Sequence, residues 1–242
     1  MSTVLVALRS TVFAIAQALL TVIFAFLGLL TYPFPPQFRY RVISNWSRLV
    51  LILARVICGV RYRVVGAEHV PRTPSLVLAK HQSAWETLAF QVILPPQVWV
   101  LKRELLRIPF FGWGLAMTSP IAIDRSAGTR ALKMMLVQGR DRIAKGFWIV
   151  MFPEGTRVPP GRRGQYHIGG AWLATQLGVP VVPVAHNAGT LWPKGAFLKH
   201  PGVITVSFAP PVDPQGMKPD ALNRQVETWI EDEVERLGSA RS

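Results

Sequence analysis

The sequence predicts an α/β fold: a single domain with a mixed, largely parallel sheet flanked by helices, preceded by an N-terminal membrane-associated helical segment. Three observations lead there. Residues 1–58 hold a long charge-free apolar run followed by an amphipathic stretch, the composition of a membrane-anchoring helical segment. From Arg61 onward, short β-rich runs alternate with helical ones, the pattern of helices laid over a parallel or mixed sheet. The 242 residues contain no internal repeat, low-complexity tract or long linker, so residues 59–242 read as one domain.

The elements follow in order. From Ser10 to Phe38 no side chain is charged, and Thr11–Leu30 supplies the roughly 20 apolar residues that cross a hydrocarbon layer. A signal peptide is the alternative, but the run exceeds the usual h-region of roughly 7–15 residues and no small-residue cleavage pattern follows it. Pro33, Pro35 and Pro36 end this helix, because proline lacks a donor and clashes with the preceding turn. A second helix is expected from about Gln37 to Cys58. Within it Arg41, Arg48 and Arg55 recur at heptad spacing among Val42, Ile43, Trp46, Leu49 and Ile52. That suits a helix at a lipid headgroup layer, or a core helix with a solvated face. Only Arg9 precedes the apolar run while Arg39, Arg41, Arg48 and Arg55 follow it, so if the segment spans, the positive-inside rule puts the rest of the chain on the cytoplasmic side of the inner membrane, and if it only dips into one leaflet as a helical hairpin the catalytic part is still cytoplasmic.

Strands are expected at Arg61–Gly66, Ser75–Ala79, Gln97–Lys102, Pro120–Asp124, Phe147–Phe152, Val179–Ala185 and Val203–Ala209. Helices fall near Ala84–Leu94, Ala127–Lys145, Ile168–Leu177 and Pro219–Leu237. In the last, Trp229, Ile230, Val234 and Leu237 form an amphipathic cover for the sheet.

Charge narrows the partners. There are 27 Lys and Arg against 13 Asp and Glu, a formal net charge of +14, which calls for an anionic partner: nucleic acid, an anionic membrane surface or an acidic substrate. The positive residues form no nucleic-acid recognition motif, and the apolar segment favours the membrane. One cysteine, Cys58, excludes an intrachain disulfide and a cysteine-based zinc site.

In open α/β sheets chemistry sits beyond the strand ends, so the strand-to-loop junctions are the places to search. At the first, His81 leaves a strand and Glu86 follows five positions later. A histidine can take a proton from a hydroxyl, and a nearby carboxylate can fix its tautomer and stabilise the imidazolium. Ser83-Ala84-Trp85-Glu86 also fits an S-x-x-E capping box, and His81 alone could be a solvated loop residue. At the second, an apolar strand runs into Pro153-Glu154-Gly155-Thr156-Arg157, either a plain turn or a site where Gly155 permits close approach and Arg157 forks onto phosphate or carboxylate. At the third, Asp124 and Arg125 end a strand, Arg125 being a second anion ligand or the surface partner of Asp124. The stretch Lys102–Ser119 mixes basic and aromatic residues, as expected where an acyl chain meets an anionic headgroup or in a packed surface loop.

Taken together, these blocks resemble the glycerophospholipid acyltransferase family, typified by the 1-acyl-sn-glycerol-3-phosphate acyltransferases. The family's His, four residues, Asp pattern is matched by His81 to Glu86, its second block by Lys102 to Arg125, its third by Phe152 to Arg157 and its fourth by Val181 to Ala185. The resemblance covers roughly Val64 to Ala185. It implies transfer of an acyl group from an acyl thioester, acyl-CoA or acyl carrier protein (ACP), to the sn-2 hydroxyl of 1-acyl-sn-glycerol 3-phosphate (lysophosphatidic acid), giving phosphatidic acid for phospholipid biosynthesis. It implies His81 as general base and Glu86, in place of the family's usual aspartate, as the orienting carboxylate. Lys102, Arg125 and Arg157 would hold the acceptor phosphate, and Glu154, Gly155 and Thr156 would shape its site. No metal or cofactor is implied beyond the thioester co-substrate. Another lysolipid acceptor such as lyso-ornithine lipid is the alternative within the class, and a non-enzymatic membrane- or nucleic-acid-binding protein the alternative outside it.

Overall fold

Two long helices open the chain in the computed structural model, which describes residues 2–124 and 127–239. Helix α1, Thr3–Leu30, starts earlier than the charge-free run because Ser2 caps it, its side chain accepting the Leu5 N–H. It is the one helix among the described residues long and apolar enough to cross a membrane. After the proline-rich turn, Pro36 opens α2, Pro36–Cys58. At a first helical position proline loses no hydrogen bond and its fixed φ is already helical. Ile43, Val50, Leu51, Ala54 and Cys58 form the buried face of α2, while Arg41, Arg48 and Arg55 are exposed.

The sheet follows: β1 Val60–Val65, β2 Leu76–Ala79, β3 Gln97–Lys102, β4 Ile121–Ile123, β5 Trp148–Met151, β6 Val181–His186 and β7 Gly202–Phe208. Between them lie α3 Trp85–Ile93, α4 Phe111–Met117, α5 Thr129–Ala144 and α6 Gly169–Leu177, and α7 Pro219–Ser239 closes the chain. The strand order is β1-β7-β6-β2-β5-β3-β4, with every neighbouring pair parallel except β6 and β7. Strand β2 is central, Leu76 standing opposite both Ile149 and Val181, and Val77 opposite Val150 and Val182.

Because strand side chains alternate, these registers sort the core into two layers. Leu76, Leu78, Ile149 and Val181 pack against Met135 of α5, Leu173 of α6, and Leu222, Val226 and Ile230 of α7. Val77, Ala79, Val150 and Val182 pack on the other face against Phe13, Val50, Trp85 and Leu88 of α1, α2 and α3. Helix α4 was not expected from sequence; Lys102–Ser119 reads there as an aromatic, glycine-broken stretch. The chain makes a short 3-10 turn over Arg103–Arg107 and then re-enters helix. Gly112 permits this, since a Cβ there would lie 2.5 Å from the Leu106 carbonyl oxygen.

Helix α1 is fastened to the rest along its length. The Ser10 hydroxyl accepts the Lys199 N–H at 3.0 Å, Phe13 meets Trp192 edge-on at 5.3 Å, and Phe26 lies 6.2 Å from Phe110. Phe13 is fully buried. Phe13→Ala is therefore expected to weaken the docking of α1 by about 3 kcal/mol, the low end for emptying a buried aromatic site. Limited proteolysis between α1 and α2 should accelerate correspondingly, and an unchanged cleavage rate would show that Phe13 holds nothing.

Candidate active site

Four parallel strands, β6, β2, β5 and β3, present their carboxyl ends on one edge of the sheet, and each delivers a polar side chain there. His81 follows β2, residues 152–157 follow β5, Lys102 ends β3 and His186 ends β6. Alternation along β2 sends residue 80 toward the α5–α7 layer and His81 toward the α1–α4 side.

Glu86 sits in the first turn of α3 and is fully buried. Its Oε1 accepts from His81 Nδ1 at 2.9 Å, from the Gln82 N–H at 2.9 Å and from the Ser83 N–H at 2.8 Å. A carboxylate can only accept, so the proton of neutral His81 lies on Nδ1 and Nε2 carries the lone pair. The two readings of Glu86 meet on one oxygen: it accepts both the capping contact from the Ser83 N–H and the contact from the His81 imidazole. The capping box itself is only half formed, since Ala84 occupies the N-cap and the Ser83 hydroxyl accepts from Trp85 N–H at 3.0 Å. Burial works against the Glu86 charge, but the facing His186 and His81 imidazoles and the Ser83 N–H outweigh it, and the carboxyl lies below the ordinary carboxylate range.

His81 is held from three further directions. Its ring stacks on Phe152 at 3.9 Å and 10°, and Phe152 in turn stacks on Trp99 at 5.5 Å. Its N–H donates to Glu154 Oε2 at 2.8 Å, and its carbonyl accepts the Val158 N–H at 2.8 Å. Glu154, expected to shape the acceptor site directly, is buried and does not line the cavity in front of His81. It grips the His81 backbone from behind, so any influence on an acceptor runs through His81. His186, absent from the sequence-based candidates, is fully buried, donates from Nε2 to the Lys80 carbonyl at 2.8 Å and accepts the Ala188 N–H on Nδ1 at 3.2 Å. Burial pushes its imidazole below the ordinary value, against the pull of the Glu86 carboxylate.

In front of His81 opens a cavity of about 480 Å³. Its cationic and polar lining comes from Lys102 and from Thr156, Arg157 and Lys194, with Gly155 next to Thr156 in the chain. Gly155 adopts φ 66°, a left-handed conformation that lets the turn after β5 fold back toward the cavity. Arg157 Nε is buried and has no hydrogen-bond partner among the described residues, so a donor is available there. Lys194 Nζ lies 3.3 Å from the Arg157 carbonyl and 3.4 Å from Thr156 Oγ1. The cavity's apolar lining comes from α1, α2, α3 and α4, through Phe24, Ile43, Trp46, Leu88 and Leu115 among others. Arg125, expected as a phosphate ligand, lies outside the described residues.

Lys194 and the α1 wall escaped the sequence reading. Lys194 lies in a loop with no pattern of its own, and α1 reads as an anchor although Gln17, Thr21, Phe24 and Ala25 line the cavity.

An acyltransferase family model matches residues 61–187, which takes in both the His81 and the Arg157 blocks. The chain belongs to the acyltransferase family. This acyltransferase is 45% identical over 208 residues to the 1-acyl-sn-glycerol-3-phosphate acyltransferase of Pseudomonas aeruginosa, covering 85% of this chain and 80% of that protein. It is 32% identical over 193 residues to the alpha 1-acyl-sn-glycerol-3-phosphate acyltransferase of Mus musculus, covering 75% of this chain and 66% of the mouse protein. Its fold matches the crystal structure of the 1-acyl-sn-glycerophosphate acyltransferase PlsC from Thermotoga maritima with a TM-score of 0.79 at 23% identity, over 96% of this chain and 95% of that one. Among the described residues of the acyltransferase, no three His, Cys, Asp or Glu side chains gather as a metal site.

Proposed function

We propose that the protein transfers an acyl group from an acyl thioester to the free sn-2 hydroxyl of 1-acyl-sn-glycerol 3-phosphate, forming phosphatidic acid. One observation carries the reading: His81 lines a cavity whose walls include both cationic side chains (Lys102, Arg157, Lys194) and a run of apolar ones, so a molecule with an anionic head and a long acyl tail can place a hydroxyl beside it. Nε2 of His81 takes the hydroxyl proton, the oxygen attacks the thioester carbonyl, and the tetrahedral intermediate collapses with departure of the thiolate, which receives the proton back from the imidazolium. Glu86 stabilises that imidazolium and fixes its orientation. Lys102, Arg157 and Lys194 pair with the phosphate, with Gly155 and Thr156 beside them. The relatives' names, which specify this acceptor, support the assignment. A thioester is already activated, so the transfer as written uses no redox group or metal ion. Acyl-CoA and acyl-ACP both meet the chemical requirement of the donor.

We also place the protein on the cytoplasmic face of the inner membrane. The exposed apolar residues Leu8, Val12, Ile15, Leu19, Ile23 and Phe26 of α1 suit a bilayer, and Arg41, Arg48 and Arg55 of α2 suit anionic headgroups. Docking at both Phe13 and Phe26 favours a hairpin seated in one leaflet over a helix that leaves the domain to span.

The acceptor assignment is tested at Lys194, which no motif contains. Lys194→Ala should raise KM for lysophosphatidate about tenfold, the lower end of a charge-assisted hydrogen bond, with kcat within about twofold. A KM equal to wild type would remove Lys194 from the phosphate site.

A further inference from the structure

Behind His81, on the face away from the cavity, lies a buried charge cluster that the reaction as written does not use. Lys80 is fully buried, with Nζ 2.8 Å from Glu154 Oε1 and 2.7 Å from Glu231 Oε1. Glu231 lies on α7, and the same oxygen accepts the Tyr166 hydroxyl at 2.8 Å. The other oxygen of Glu154 is the one that accepts the His81 N–H. A continuous path therefore runs from α7 through Glu231, Lys80 and Glu154 to the backbone of the base. None of Lys80, Glu154, Tyr166 and Glu231 lines the cavity.

Stability alone does not account for this arrangement. Replacing a buried ion pair with well-packed apolar groups is often neutral or stabilising, because desolvation of the charges offsets their attraction. Nor does charge balance require both carboxylates, since one ionised carboxylate neutralises Lys80. What Glu231 adds is direction: with two carboxylate oxygens at hydrogen-bonding distance the ammonium is fixed from two sides, and Lys80 in turn fixes Glu154. The Lys80 backbone is also tied, its N–H donating to the Val184 carbonyl at 3.0 Å and its carbonyl accepting from His186. The side-chain path thus sets the one remaining variable, the position of the Glu154 carboxylate under the His81 peptide. Misplacing a base by a fraction of an ångström suffices to slow proton transfer.

We propose that Glu231 is a positioning residue for acyl transfer, acting through Lys80 and Glu154 to hold the His81 peptide, so that α7 takes part in setting the base. This rests on His81 being that base, an assignment tested separately by His81→Ala, which leaves Glu231 in place.

The experiment compares the full-length wild type with Glu231→Leu, Glu231→Asp and Glu231→Gln in membranes, reading kcat, KM for lysophosphatidate and the thermal midpoint of the purified proteins. Glu231→Leu should lower kcat about tenfold, with KM within about twofold, because the phosphate cations are untouched. Glu231→Asp keeps the charge but withdraws the oxygen by one methylene, and should lower kcat about fivefold without loss of fold. Glu231→Gln keeps a carbonyl oxygen at the same reach and should recover kcat to within about threefold of wild type. If Glu231→Leu does not accumulate, the contrast between Asp and Gln decides. Three results would overturn the proposal: kcat unchanged in Leu and Asp while the thermal midpoint falls, Gln as slow as Leu or slower than Asp, or the effect appearing in KM instead of kcat.

Discussion

Membranes carrying His81→Ala should form phosphatidate at least about a hundredfold more slowly than membranes carrying the wild type, the lower end of what a general base contributes. The substitution removes the imidazole that lines the cavity and leaves Lys102, Arg157, Lys194 and the apolar walls in place. KM for lysophosphatidate should therefore stay within about threefold while kcat falls, the signature of an interaction made in the transition state and not in the ground state. The backbone of residue 81 keeps its hydrogen bonds to Glu154 and Val158, so the loop after β2 should retain its shape. Initial rates with a labelled acyl thioester at saturating acceptor decide the matter; a variant retaining wild-type kcat would return His81 to an ordinary loop residue.

Glu86→Gln is expected to have the next largest effect, a loss of kcat on the order of a hundredfold. The wild-type oxygen accepts three hydrogen bonds in a site closed to water. An amide offers one oxygen to the same three donors but carries no charge to stabilise the imidazolium. If it flips, its NH2 faces N–H groups and the His81 tautomer is lost. Glu86→Asp, which restores the carboxylate usual in the family, should lose about tenfold, because this backbone is built for the longer side chain.

The sign of the pH dependence follows from the direction of the Glu86 shift. Its folded pKa lies below the ordinary value, so the stability it contributes is complete above the ordinary carboxylate range and is lost progressively as pH falls from that range through the lowered value. On the acid side, then, kcat/KM should decline with the uptake of a single proton while Glu86 stays ionised and the fold persists. A two-proton decline, or unfolding in step with the loss of activity, would contradict an ionised, buried Glu86.

The layered α/β architecture was legible because each central strand is buried on both faces and reads as a short apolar run, as Leu76–Ala79 and Trp148–Met151 do. The pairing of His81 with Glu86 was legible because the two lie five residues apart at one strand end. Helix α4 was hidden by Gly112 and Gly114, which weaken any helical pattern, although a close approach to the Leu106 carbonyl requires the first of them. Lys80 illustrates a partial signal. Extending the alternation of Leu76 and Leu78 by one step points it into the α5–α7 layer, yet its partner Glu231 lies 151 residues away and no local pattern connects them. The wall contributed by α1 was invisible for a similar reason: an apolar helix is equally suited to lipid, to a core and to an acyl chain, and only its contacts with Trp192 and Phe110 distinguish these.

The central claim, esterification of a phosphomonoester lysolipid at His81, is tested most directly by acceptor competition. Membranes carrying the wild type are given equal concentrations of lysophosphatidate and lyso-ornithine lipid with one labelled acyl thioester, and the labelled products are separated. Label should enter phosphatidate with at least about a tenfold preference, set by the charges of Lys102, Arg157 and Lys194 on the doubly ionisable phosphate. Label appearing chiefly in ornithine lipid, or divided evenly, would contradict the acceptor assignment while leaving the acyltransferase chemistry in place.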